Sequence, residues 1–99
     1  MIEIATIQTV VAEAFSLHHD DLTQKSRVRS IGVPRQIAMY LAKLLTDASL
    51  PEIGRQFGGK HHTSVMHSIA RVHQLRATDA GINSVIESLL DKLRQQTGD

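Results

Sequence analysis

An all-α bundle of five to six helices is the fold this sequence predicts, on three observations. Apolar residues recur every three or four positions through almost the whole chain. No segment alternates with a period of two over more than a few residues, so no strand is expected. Ninety-nine residues with 41% hydrophobic content suffice for one modest core, built from aliphatics because only Phe15, Tyr40 and Phe57 are aromatic. One domain over residues 1–99 follows.

Ile4, Ile7, Val10/Val11 and Ala14/Phe15 place an amphipathic helix over 4–16. Asp20 or Asp21 is expected to cap a short turn around Leu22–Gln24. Lys25 to Gly32 holds three bases, two serines and a glycine, and reads as an extended basic loop. Pro34 suits the first turn of the next helix, where a missing N–H costs nothing. Ile37, Ala38, Leu41, Leu44 and Leu45 are its apolar stripe, running to about Asp47. Ser49 with Glu52 three residues on forms a capping box for a brief helix over 50–57, with Leu50, Ile53 and Phe57 on one side. Gly58-Gly59 turns the chain. Val65, Ile69 and Val72 mark a long helix over about 61–77. Thr78 or Asp79 caps a last helix carrying Ile82, Val85/Ile86, Leu89/Leu90 and Leu93, expected to act as a packing brace.

Charge is unevenly distributed along the chain. The formal net charge is +1, but residues 1–21 hold four acids and no Lys or Arg, while residues 22–78 hold nine bases against two acids. Residues 79–99 then hold two bases and four acids. A local excess of +7 in the middle is what phosphate binding requires. No apolar run approaches the ~20 residues of a membrane span, so no membrane insertion is expected. The N-terminus lacks the basic start and apolar block of a secretory signal. With no cysteine, no disulfide framework or thiolate metal site is available. A cytoplasmic protein is the expectation.

The short helix, tight glycine turn and long helix over 50–77 form a helix-turn-helix pattern. On a wheel at about 100° per residue, Val65, Ile69 and Val72 share one side, with Met66 beside them. Thr63, Ser64, His67, Arg71 and Gln74 share the opposite side. Hydroxyls, imidazole, guanidinium and amide are the groups that bond phosphate oxygens and base edges. Lys60 precedes this helix, whose N-terminus also offers N–H groups to an anion. Met39 and Met66 read as core filler, His73 as structural, and His18-His19 as an exposed helix exit.

Other chemistries fail on residue type. Gly54 to His61 almost spells a phosphate-binding loop, but His61 stands where Ser or Thr must hold magnesium, and no strand precedes it. His62, His67 and His73 are spaced by five and six residues rather than the four that puts two ligands on one helical face, so no metal is expected. Ser64 and His67 share a face, yet no acid orients the imidazole. No catalytic residue, cofactor or small-molecule ligand is assigned.

Leu50-Pro51-Glu52-Ile53-Gly54, Phe57-Gly58-Gly59-Lys60 and His62-Thr63-Ser64-Val65 together resemble the C-terminal DNA-binding domain of the bacterial replication initiator DnaA. Upstream, Arg27-x-Arg29, Pro34-Arg35-Gln36-Ile37-Ala38-Met39 and Leu41-Ala42-Lys43 resemble the same family in order and spacing. The likeness extends over roughly residues 3–93. It implies a TrpR-like helix-turn-helix domain that binds double-stranded DNA at DnaA boxes of a replication origin, within the bacterial nucleoid. It also implies that the family's ATPase module is a separate, preceding domain, so residue 1 is expected to be a boundary inside a longer protein. The isolated domain is expected to be monomeric.

Carried over residue by residue, the resemblance puts Arg27 in the minor groove, where Arg favours narrow A·T-rich stretches. Leu50 and Pro51 match positions that touch thymine methyl groups. His62 and Thr63 match base-reading positions at the start of the recognition helix. Lys25, Arg29, Arg35, Gln36, Lys43, Lys60, Ser64, His67 and Arg71 match, or conservatively replace, positions that hold phosphates. For His62 the wheel leaves two placements open, half-buried against the core or projecting into a groove, and the family match selects the second. His61 departs from the pattern, because the family usually has aspartate there. A carboxylate only accepts hydrogen bonds whereas imidazole donates or accepts, so base preference and the helix cap are both open at this residue. Two other readings stand beside DnaA-box binding at an origin. One is a stand-alone transcriptional regulator or mobile-element protein reusing the module. The other is a basic protein-interaction domain.

Overall fold

The computed structural model describes residues 2–24 and 29–97, and these form six helices with no strand among them. They are α1 (Ile4–Ala14), α2 (His19–Thr23), α3 (Arg29–Leu45), α4 (Leu50–Gln56), α5 (His62–Thr78) and α6 (Ala80–Thr97). Helix α3 is the hub: α5 lies along it most extensively, with α1, α2 and α4 around it. Helix α6 packs against α5 and α1, as a brace should. Between them, Ile7, Val11, Leu22, Ile37, Leu41, Ile53, Phe57, Val65, Val72, Ile86 and Leu93 are fully buried.

Local chemistry explains where each helix begins and ends. Helix α1 stops at Ala14 rather than continuing to 16 because Ser16 turns left-handed (φ 56°). Ser16 N–H then donates to Glu13 O at 3.2 Å and Leu17 N–H to Ala12 O at 2.8 Å, the paired bonds of a Schellman ending. Helix α2 begins earlier than the expected turn at 22–24. Its N-cap is His18, whose backbone N–H donates to Asp21 Oδ2 at 2.9 Å, and Asp20 and Asp21 lie inside the first turn instead of capping it.

The largest departure is at α3. Residues 29–32 are helical, so the expected basic loop 25–32 is not loop at its C-terminal half, and residues 25–28 lie outside the described residues. Pro34 is therefore inside the helix, where it removes the bond that Ser30 O would accept. Burial of Ile31 accounts for the added turn: Ile31, Ala38 and Leu41 extend one apolar stripe, and the gain outweighs one missing hydrogen bond. Leu44 leaves that stripe and is 51% exposed. Helix α3 ends at Leu45, where Thr46 Oγ1 donates to Ala42 O at 2.6 Å.

Helix α4 starts as expected at Ser49, whose Oγ accepts the Glu52 N–H at 3.3 Å. The reciprocal half of the box is absent, because Glu52 pairs with Arg55 and accepts from Gln56 Nε2 at 2.9 Å. Of the two candidate caps for α6, Asp79 does the work, with Oδ1 accepting the Ile82 N–H at 3.1 Å. Met39 is buried as predicted, but Met66 is 48% exposed and does not fill the core.

Candidate nucleic-acid interface

Backbone contacts close the turn of the helix-turn-helix, over the buried side chains of Ile53, Phe57 and Val65. Lys60 N–H donates to Gly54 O at 2.9 Å, folding the turn back on α4. Gly58 (φ 84°) and Gly59 (φ 76°) take the left-handed steps that the turn needs. A Cβ on Gly58 would stand 2.6 Å from Thr23 O, so α2 closes directly on the turn. Gln8, buried in α1, donates from Nε2 to Gln56 O at 2.8 Å and anchors the last turn of α4.

Helix α5 separates its two faces as the wheel requires. Val65, Ser68 and Val72 are buried, while Thr63, Ser64, His67, Arg71 and Gln74 are all exposed. Arg71 Nη1 donates to Gln74 Oε1 at 3.3 Å, so these two polar ends share one stretch of the exposed face. At the start of the helix, His61 is the N-cap: its Nδ1 accepts the Thr63 N–H at 3.2 Å and lies 2.8 Å from Thr63 Oγ1. His62 is exposed rather than half-buried, and its ring lies against that of His61 with centroids 4.2 Å apart. Base-reading candidates His61, His62 and Thr63 thus form one contiguous cluster. Of the other two on described residues, Pro51 is exposed and Leu50 is half-buried, both in the first turn of α4.

The basic candidates divide. Lys43 is exposed on α3 beside Tyr40, Leu44, Ile69 and His73 in the groove between α3 and α5. His73, read as structural, is exposed there with its ring edge-on to Tyr40 at 6.1 Å, so it packs at the surface of the groove between α3 and α5. Gln36 is half-buried on α3. Lys60 is partly buried, and that burial, with the Arg35 charge nearby, holds its ammonium below the ordinary lysine range. Arg29 opens α3, whereas Lys25 and Arg27 lie outside the described residues.

Arg35 requires a correction. Its residue surface is only 4% exposed, and its Nη2 donates to Asp21 O at 3.0 Å and Gln24 O at 2.9 Å. Burial also lowers its pKa from the usual guanidinium value. It ties the end of α2 to α3, and that donor is directed at protein carbonyls, not outward at phosphate. Arg76 was not singled out by the sequence. It donates from Nη1 to Tyr40 OH at 3.0 Å and from Nε to Asn83 Oδ1 at 2.8 Å, and pairs with Glu87. Apolar periodicity is blind to such a residue.

No group of three His, Cys, Asp or Glu able to hold a metal occurs among the described residues, and no described helix is long and apolar enough to cross a membrane. Residues 4–72 match the family described as "Bacterial dnaA protein helix-turn-helix". The chromosomal replication initiator protein DnaA of Latilactobacillus sakei subsp. sakei is 48% identical over 93 residues, 94% of this chain and 21% of that protein. Its counterpart in Lactobacillus delbrueckii subsp. bulgaricus is 49% identical over 94 residues, 95% of this chain and again 21% of the relative. The chain therefore spans about a fifth of the length of these curated relatives. A solved structure described as "Crystal structure of DNA replication initiation factor" superposes with a TM-score of 0.75 at 29% identity, covering 91% of this chain and 29% of that one. The DNA-binding domain of this family has no catalytic activity of its own. With a helix-turn-helix of this geometry and relatives this similar over nearly its whole length, the chain belongs to the bacterial DnaA family as its C-terminal, DNA-binding helix-turn-helix domain, domain IV.

Proposed function

We propose that this domain reads short, asymmetric DnaA boxes in double-stranded DNA as a monomer, on behalf of an initiator acting at a replication origin of the bacterial nucleoid. Helix α5 enters the major groove, α4 braces against the backbone, and Arg27 reaches the neighbouring minor groove. His61, His62 and Thr63, with Leu50 and Pro51, meet base edges. Lys25, Arg29, Gln36, Lys43, Lys60, Ser64, His67 and Arg71 meet phosphates, which fixes register and supplies salt-dependent affinity without choosing sequence. Arg35 is withdrawn from that set and given the task of seating α2 on α3.

One observation carries the reading: α5 presents Thr63, Ser64, His67, Arg71 and Gln74 together to solvent, directly opposite its buried Val65 and Val72. A helix that merely packs has no need for a continuous row of hydroxyl, imidazole, guanidinium and amide at the start of which three base-reading types cluster. Fluorescence anisotropy with a DnaA-box duplex and a scrambled duplex, at two salt concentrations, tests it. The expected result is a preference for the box of about 1000-fold or more that survives the higher salt. Equal affinity for the two duplexes would overturn sequence reading, and no salt-dependent binding to either would overturn DNA binding by this surface.

A further inference from the structure

His61 both caps α5 and faces outward, and the cap determines what its outward edge is. The Thr63 backbone N–H at 3.2 Å can only donate, so the His61 Nδ1 that meets it is the acceptor and carries no proton. The proton of the neutral ring is then on Nε2, across the ring from the helix end. Thr63 Oγ1 lies 2.8 Å from the same Nδ1, which has no hydrogen to give, so the hydroxyl directs its own hydrogen inward. The His62 ring lies against the His61 ring, tilted 34°, and a half-turn of His61 would put Cδ2 in place of Nδ1 and lose the cap. The outward surface of this corner is therefore an N–H donor on His61 beside oxygen lone pairs on Thr63.

We infer that His61 is a specificity-determining residue that makes this domain select a purine edge over cytosine at one base pair of its site, its Nε2–H donating to purine N7 or guanine O6. The inference rests on the proposed placement of α5 in the major groove. Aspartate, usual in the family at this place, also caps a helix through one oxygen, but its second oxygen accepts and so selects an exocyclic amine. Histidine conserves the cap and inverts the polarity of the reading edge. Thr63 alongside accepts from an amine on cytosine or adenine, so the donor–acceptor pair is satisfied either by one adenine, through N7 and its amine, or by two neighbouring base pairs.

The test compares wild type, His61→Asp and His61→Asn on duplexes in which every base pair of the box is changed in turn to the other three. All three residues are competent N-caps, so folding is expected to hold, and circular dichroism checks it. Wild type and His61→Asn, which offers an amide N–H, are expected to prefer a purine over cytosine about tenfold at one shared base pair. His61→Asp is expected to move that preference to cytosine by a similar factor and to leave the remaining positions as they were. If His61→Asp matches wild type at every position while both still prefer the box over scrambled DNA, the inference fails and the proposed function stands. If wild type shows no box preference, both fail. A ring nitrogen spectrum of the protein with its proton on Nδ1 overturns the inference independently of DNA.

Discussion

Gly54 and Lys60 meet backbone to backbone across the helix-turn-helix: Lys60 N–H donates to Gly54 O at 2.9 Å, and Lys60 O stands 2.0 Å from where a Cβ on residue 54 would be. That space does not exist for any side chain. Gly54→Ala must push α4 from the turn, because the obstructing atom is a carbonyl and not a flexible side-chain end. A loss of about 2–3 kcal/mol is expected, as for other overpacked sites. In a domain of this size that corresponds to a fall of roughly 10–20 °C in Tm, read by far-UV circular dichroism. An unchanged Tm would mean that the turn is looser than this contact requires.

Thr63 and Arg71 share the exposed face of α5 but have different expected roles. Thr63→Ala should weaken box binding by about 1–3 kcal/mol while sparing scrambled DNA. Arg71→Ala and Lys43→Ala should weaken both duplexes alike and each lower the salt slope by about one. An equal loss on both duplexes for Thr63→Ala removes it from the base-reading set.

Lys60 adds a pH dependence. Partial burial first, and the Arg35 charge second, hold its pKa below the ordinary lysine range. Only the protonated amine pairs with phosphate, so binding draws a proton onto Lys60 once pH exceeds the lowered value. Affinity should be level below that value and decline as pH rises through it. Folding has the opposite sign: between the lowered and the ordinary lysine values the unfolded chain binds more proton, so stability there increases with pH. Anisotropy titrations across the alkaline range check the first effect. Lys60→Arg, which stays charged, should hold its affinity where wild type loses it.

Arg76 joins three helices through Tyr40 OH, Asn83 Oδ1 and Glu87. Arg76→Ala should cost about 1–3 kcal/mol, mostly from the bonds to Tyr40 and Asn83, since the Glu87 carboxylate is more than half exposed. Discrimination between box and scrambled DNA should be unchanged. Thermal unfolding together with the two-duplex titration separates the two effects.

Helix order and the polar row of α5 were legible in the sequence because periodicity and turn residues report locally on burial. Ser49, Asp79 and the Gly58-Gly59 turn act where their chemistry says they should. What was not legible depends on partners distant in sequence. The start of α3 is set by burial of Ile31, which overrides the local preference of Pro34 for a first turn. Arg35 looks like any basic residue until the Asp21 and Gln24 carbonyls are seen to claim it. Leu44 and Met66 fit an apolar stripe on a wheel, but no neighbouring element covers the width of stripe they occupy. For His61 the sequence posed the question, and only the distance to the Thr63 N–H shows that an imidazole caps this helix.

Tyr40 has a practical consequence. The chain has one tyrosine and no tryptophan, so all of its tyrosine emission arises at a single known place. That place is the seam between α3 and α5, where the phenol ring meets the His73 edge and has the Arg76 guanidinium 5.9 Å from its centroid. Nature has thus labelled the joint on which the reading helix rests, and a shift of α5 relative to α3 on docking would register as a change in tyrosine fluorescence without any added dye.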